Sequence, residues 1–303
     1  MPRLRAVVTG GAGFIGSHVV ELLVAEGFEV VVLDDLSTGD ASYVDPAAEL
    51  VEFDVASEDG WSKLVAGAEL VFHLAALARI QPSFDDPLTH ERVNVVGAIN
   101  CVLACREAGV RRLVCSSSSS CYGDPQRLPT PEDEPIDPLS PYALQKYAAE
   151  RNCLLLGERY GIETVCLRYF NVYGPRSYNE RNPLNAYSSV VGIFARQRVR
   201  GEALTITGDG LQERDFVHVT DVARANLLAA TSGRTFAAYN VGSGTTISIL
   251  ELARLFDHPY VFVDERLGEA QVTWADISRI RRELGWEPTV TLAEEIRREE
   301  HAP

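Results

Sequence analysis

The segment Thr9-Gly-Gly-Ala-Gly-Phe-Ile-Gly16 constrains this chain more than any other. An apolar run from Leu4 to Thr9 leads into it and a helical pattern over 14–26 leads out, so the glycines occupy a strand-to-helix turn. With no Cβ atoms at Gly10, Gly13 and Gly16, the N–H groups that open the helix, around Phe14 and Ile15, can approach a pyrophosphate at the helix's positive end. A second apolar run ends in Val32-Leu33-Asp34. A carboxylate there accepts hydrogen bonds from a ribose diol and repels a 2'-phosphate, and Asp35 deepens the negative field. The pattern predicts a dinucleotide site that takes NAD in preference to NADP.

Strand-type runs at 4–9, 29–33, 49–53, 69–75, 112–116 and 164–170 alternate with helical patterns near 14–26, 88–108 and 141–160. This rhythm predicts an α/β fold, a Rossmann-type doubly wound parallel sheet with right-handed crossovers. After Tyr173-Gly-Pro-Arg176 it gives way to a polar Asn-rich loop, a helix near 188–200 and shorter elements. The expected division is an NAD-binding domain over 1–170 and a smaller, partly interleaved substrate-binding region over 171–303. Asp215-Phe-Val-His-Val219 and Tyr239-Asn-Val241 read as buried strands, so segments near 215–241 are expected to be able to return to the first domain. Ser248-Ile-Leu-Glu251 fits a capping box, and a charged amphipathic helix is expected from Asp276 to Leu284.

The formal net charge of -15 argues against an extended nucleic-acid or anionic-membrane surface, both of which need clustered Lys and Arg. The N-terminus enters a strand almost at once and no window reaches the ~18 apolar residues of a membrane span. A soluble cytoplasmic protein is expected. The six cysteines form no CxxC pair and lack histidines at zinc spacing, so they read as reduced core residues and no metal site is expected.

Two segments carry candidate chemistry. Tyr142-Ala-Leu-Gln-Lys146 sets a phenol and an ammonium one helical turn apart on one face. If that face meets the nicotinamide, Lys146 and the cofactor's positive ring both favour the phenolate and are expected to bring Tyr142 down toward neutrality. The run Ser116 to Ser120 ends an apolar strand at the sheet edge where open α/β folds bind ligands, which argues for a working hydroxyl over a spacer. His73, His90 and His218 have no partner pattern and read as structural.

In combination these motifs resemble the extended short-chain dehydrogenase/reductases of the NAD-dependent nucleotide-sugar epimerase and dehydratase kind, over nearly the whole chain. The resemblance implies Ser118 as the catalytic hydroxyl, five residues before Gly123, with Tyr142 and Lys146. It matches Asp54-Val55 to an adenine-contacting dipeptide, His73-Leu74-Ala75-Ala76 to the strand under the cofactor, and Asn94 to the helix Asn that organises the site. It implies that Tyr169 closes over the nicotinamide, that Asn171 contacts the sugar nucleotide, and that Arg214 and Arg266 clamp its diphosphate. Many relatives hold a base-stacking aromatic where this chain has Thr207, and those that exclude N-acetylhexosamines often carry a Tyr where it has Thr273.

The family's 4,6-dehydratases carry Asp-Glu after the catalytic hydroxyl, and here Ser119-Ser120 stand there, which disfavours that subclass. The implied activity begins with oxidation of an NDP-hexose at C4 and leads to 4-epimerisation of UDP-GlcNAc or UDP-glucose by a cytoplasmic homodimer. The alternative is a UDP-N-acetylhexosamine 5,6-dehydratase of the tunicamycin type, with Cys121 as an acid or base near C6. A third reading is a dinucleotide-sensing module without catalysis, against which the intact Ser118, Tyr142 and Lys146 stand.

Overall fold

The computed structural model describes residues 3–78, 80–178, 189–265 and 270–300. Its first half lays down β1 (Arg5–Thr9), α1 (Phe14–Ala25), β2 (Glu29–Asp34), β3 (Glu49–Glu52), the short α2 (Trp61–Leu64), β4 (Leu70–His73), α3 (Ile80–Asp85), α4 (Pro87–Glu91), α5 (Gly97–Ala108), β5 (Arg112–Ser118), α6 (Pro141–Tyr160) and β6 (Glu163–Tyr169). The second half adds β7 (Asn171–Tyr173), α7 (Val190–Val199), β8 (Leu204–Thr207), β9 (Glu213–Arg214), β10 (Phe216–His218), α8 (Val219–Thr231), β11 (Ala237–Val241), β12 (Ile247–Ser248), α9 (Ile249–Leu255), β13 (Tyr260–Val263), β14 (Val272–Thr273), α10 (Ser278–Leu284) and α11 (Leu292–Glu300).

Seven strands pair in the order β11-β6-β5-β4-β1-β2-β3, every pair parallel. Strand residues alternate between two apolar layers: Val8, Val32 and Phe72 pack with α1 and α8, while Val7, Val31 and Val71 pack with α5 and α6. Both faces are covered, which is why the strands read as continuous apolar runs. The connections reverse direction between β1 and β4, and such a switch point opens a crevice at the strands' carboxyl ends.

Tyr239-Asn-Val241 lies in β11 at the edge of this sheet beside β6, whereas Phe216–His218 pairs with β7 in a separate two-stranded sheet. The rest of the second half forms β12-β9-β14 and β13-β8 around a third core containing Phe194, Leu204, Phe216 and Phe256. A buried carboxylate joins the two layers. Asp215 accepts from Ser243 N at 2.6 Å, Gly244 N at 3.0 Å and Ala275 N at 3.1 Å, so the segment after β11 and the one after β14 are tied to one side chain.

Two helices differ in detail from the periodicity. The pattern near 88–108 is interrupted by a π-helical turn over 92–96, where one extra residue per turn swings Asn94 inward. The helix expected from Asp276 starts at Ser278, because Asp276 spends its carboxylate on Ser278 N at 2.8 Å. The capping box at Ser248 and Glu251 forms with both reciprocal bonds. Among the described residues no helix is long and apolar enough to cross a membrane.

Candidate active site

A cavity of about 350 Å³ opens where β1, β2 and β4 end, lined by Gly10, Gly13, Phe14, Ile15, Gly16, Asp34, Asp35, Val55, Leu74, Ala75 and Ala76. Its floor depends on missing side chains. Gly10 has φ +71°, and a Cβ on it would lie 2.6 Å from Ala75 N; one on Gly16 would lie 2.0 Å from the Gly10 carbonyl. Only glycine lets the loop, the helix and the β4 exit approach this closely. Asp34 closes the loop, accepting from Ala12 N and Leu36 N at 2.9 Å each. Burial pushes its carboxyl up, against those two N–H bonds. Each oxygen keeps a lone pair for a ribose hydroxyl, so bare glycine backbone and a rim carboxylate fit an adenine dinucleotide.

The wall from Leu74 to Ala78 is pinned from below. Thr9 Oγ1 accepts from Ala75 N at 3.2 Å and bonds His73 Nδ1 at 2.9 Å, and burial lowers His73 to about 4. Asn94 accepts from Leu77 N at 2.8 Å and donates to Gln145 Oε1 at 3.2 Å, which joins this wall to α6. Asp54 turns its carboxylate to Arg92, 2.6 Å away, and to Ala56 N at 2.8 Å, leaving Phe53 and Val55 to line the cavity.

Helix α6 begins where the local chemistry favours it: Ser140 caps Ala143 N at 3.2 Å and Pro141 takes the first turn. Its face carries Tyr142 and Lys146 to the end of β5. Lys146 Nζ donates to Ser116 Oγ at 3.2 Å, and Tyr142 shares a hydrogen bond with Ser118. Ser118 Oγ also accepts from Ser120 N at 3.2 Å and Ser120 Oγ at 2.9 Å. The lowering of Tyr142 was expected from Lys146 and the positive nicotinamide ring together, and the protein's own groups do not provide it. Burial pushes Tyr142 up to about 12, the Ser118 bond only partly offsets it, and Lys146 faces Ser116 instead.

A second cavity of about 610 Å³ shares Ser118, Tyr142 and Tyr169 with the first. Asn171, Arg214 and Thr273 line it. Asn171 Nδ2 donates to Asp215 O and to Thr273 Oγ1, both at 2.9 Å, and Arg214 Nη1 donates to Glu213 O at 3.0 Å and Gln271 O at 3.2 Å. Tyr169 lies at the seam with its hydroxyl on Asn226 Oδ1 at 3.0 Å, away from the cavities. Arg266 lies outside the described residues.

Cys121 needs correction. Its thiol is fully buried in the core shared with Val114 and Leu167, outside the walls of both cavities, and burial raises it to about 12. A thiol so placed neither meets a sugar carbon nor ionises near neutral pH, so the role near C6 falls away. Sequence reasoning missed His90, Phe53 and Val93 on the first cavity's wall and Ser120, Gln212 and Ile193 on the second's. The π turn that reorients 92–96 hid Val93; Gln212 stood two residues from Arg214 and was within reach of notice.

The comparisons with known proteins agree with this geometry. The model of the NAD dependent epimerase/dehydratase family matches residues 6–242. The UDP-glucose 4-epimerase of Mycolicibacterium smegmatis is 39% identical over 307 residues, covering 97% of this chain and 96% of that protein. The structure of a UDP-glucose 4-epimerase with UDP-glucose from Thermotoga maritima superposes with a TM-score of 0.92 at 35% identity, covering 97% of this chain and 96% of that one. A UDP-N-acetylglucosamine 4-epimerase from Methanobrevibacter ruminantium, in complex with UDP-N-acetylmuramic acid, does so with a TM-score of 0.90 at 34% identity, covering 98% and 97%. A glycine-loop dinucleotide cleft that shares its Ser118 and Tyr142 wall with a second cavity, on a fold matched from end to end, leads to one assignment: this chain belongs to the NAD dependent epimerase/dehydratase family.

Proposed function

We propose that this enzyme interconverts UDP-hexoses epimeric at C4, accepting both UDP-glucose and UDP-GlcNAc. The observation that supports the reading is the continuity of the two cavities across Ser118, Tyr142 and Tyr169, which would let a sugar held in the second reach a nicotinamide held in the first. NAD, when bound, supplies the hydride acceptor and donor and a positive ring beside the phenol. Tyr142 Oη takes the proton of the 4-hydroxyl while Ser118 Oγ holds the same oxygen, and Lys146 contributes the charge that favours the phenolate. The 4-keto sugar turns over in the cavity, and Tyr142 returns the proton after reduction on the opposite face.

Asn171 and Arg214 hold the sugar nucleotide, the guanidinium suiting a diphosphate, with Arg266 as the expected second clamp. Thr273, smaller than Tyr, leaves room for an acetamido group. Leu88, Val96, Leu144 and Leu155 project exposed from α4, the π turn and α6, and we infer that this face pairs two copies as a homodimer. Six free, buried thiols suit a reducing cytoplasm. Incubation with each UDP-sugar in D2O, followed by NMR and mass spectrometry, tests the reaction. Epimerisation keeps the mass of the sugar skeleton; loss of water would replace this reading with elimination.

A further inference from the structure

Three consecutive serines at the end of β5 meet three residues on one face of α6. Ser116 accepts from Lys146 at 3.2 Å, Ser117 Oγ donates to Glu150 Oε2 at 2.6 Å, and Ser118 bonds Tyr142. Tyr142, Lys146 and Glu150 follow one another at single-turn spacing. The proposed reaction uses the first two and leaves Glu150, which is 1% exposed, without a role.

Glu150 is clamped from the neighbouring strand. Arg168, directly opposite Ser117 in the β5–β6 register, reaches it with Nε to Oε2 at 2.8 Å and Nη2 to Oε1 at 2.6 Å. The guanidinium's far side donates to Tyr122 Oη at 2.7 Å and Glu132 O at 3.0 Å. A buried ion pair seldom outperforms a well-packed apolar pair in stability, because both charges must be stripped of water. Its place at the contact between the catalytic helix and the serine strand calls for another explanation.

Lys146 provides one. The side chain is buried, its hydrogen-bond partner is a neutral hydroxyl, and around it stand His73 from β4, Cys115 from β5, Cys166 from β6 and Cys153 from its own helix. Burial drives its ammonium down; opposing that stand first the sulfurs of Cys115, Cys153 and Cys166, which act only as thiolates, and then the Glu150 carboxylate. Cys115 is the other candidate for negative charge, drawn down by hydrogen bonds from Cys153 and Cys166.

We propose that Glu150 is a positioning residue: held by Arg168 and Ser117, it supplies the buried negative charge that keeps Lys146 an ammonium and fixes the register in which the serines meet α6. Its catalytic consequence rests on the epimerase reading; its electrostatic part does not.

The chain has two lysines, Lys63 and Lys146, so NAD-loaded enzyme with 13Cε-lysine gives two titrating signals, assigned with Lys63→Arg. Glu150→Gln should lower the Lys146 midpoint by about one pH unit, and the charge-preserving Glu150→Asp should lower it less. In parallel, kcat for UDP-glucose should fall about tenfold with KM nearly unchanged. If Glu150→Gln does not fold because Arg168 is left stranded, Arg168→Gln, which leaves the Glu150 carboxylate without its counter-charge, should raise the Lys146 midpoint, and a lowered or unchanged midpoint there would overturn the proposal. An unchanged midpoint in the folded variant, or a drop produced by Cys115→Ala in place of the Glu150 change, would overturn the proposal. Inactivity of the wild type on every UDP-hexose would instead sink the functional reading, since the titration needs no sugar.

Discussion

The two cavities are built by opposite strategies. The first is made largely of backbone: Gly10 to Gly16, Asp34 and the Leu74–Ala76 wall come from three strand ends within the first quarter of the chain, each secured by bonds to its neighbours. The second is made of side chains gathered from β7, β8, β9 and β14, segments spread over about a hundred residues, and tied by the Asn171–Thr273 bond across 102 positions and the Asp215 hub. A backbone cradle serves one invariant dinucleotide. A side-chain cradle can be retuned one residue at a time, which is where substrate choice should reside.

Removing the group at the seam should give the largest effect. Tyr142→Phe should lower turnover by about 10²–10⁴-fold while NAD content and melting temperature stay near wild type, because the ring still packs and only the proton acceptor is lost. Activity within a few fold of wild type would break the assignment of chemistry to the seam.

The two halves also differ in the sign of their response to acid. His73, under the cofactor wall, is lowered from 6.5 to about 4 by burial, so the stability it confers when neutral is present above 6.5 and is lost as pH falls toward 4, by about 3 kcal/mol. Asp215, at the substrate-side hub, is raised from 3.8 to about 6 by burial, so its contribution is full below 3.8 and is lost as pH rises through about 6. Over roughly pH 4–6 the two oppose each other. Urea midpoints measured across this range should fall with rising pH in His73→Gln relative to wild type and climb in Asp215→Asn. Parallel profiles in all three proteins would show that neither group is linked to folding.

Within the serine run, Ser118→Ala should cost about 10²-fold in kcat, whereas Ser119→Ala and Ser120→Ala should cost less. Ser120 touches Ser118 by a 2.9 Å hydroxyl contact and acts through it. Equal small losses at all three positions would leave Ser118 without a privileged part.

The same contrast explains what could be read in advance. The dinucleotide half was legible because its signals are contiguous: a strand, a glycine turn, a helix, then a carboxylate at the next strand's end. The parallel sheet followed from the alternation of apolar runs. The substrate half lacks such local grammar. That Asp215 receives backbone N–H groups from Ser243, Gly244 and Ala275 follows from tertiary proximity alone, and nothing local marks it. Cys121 looked chemical beside the serines, yet the turn over 119–122 rotates it into the core. Helical spacing placed Lys146 beside Tyr142 correctly but could not reveal that its ammonium binds Ser116.

The smallest expected effect is the one that isolates the side-chain cradle. Thr273 lines the second cavity and anchors Asn171 through its hydroxyl, while the first cavity's walls do not include it. Thr273→Tyr adds a ring beside the sugar and leaves the seam untouched. It should lower kcat/KM for UDP-GlcNAc about tenfold relative to UDP-glucose, through overlap with the acetamide. The lost Asn171 contact should weaken both substrates alike, so the ratio between them, and not either value alone, reads the steric part. Thr273→Val, which removes the hydroxyl without adding bulk, supplies the control: it should reduce both substrates modestly and leave their ratio unchanged. If Thr273→Tyr also leaves the ratio unchanged, the N-acetyl group faces another wall, and selectivity must be sought at other lining residues such as Ile193 and Phe170.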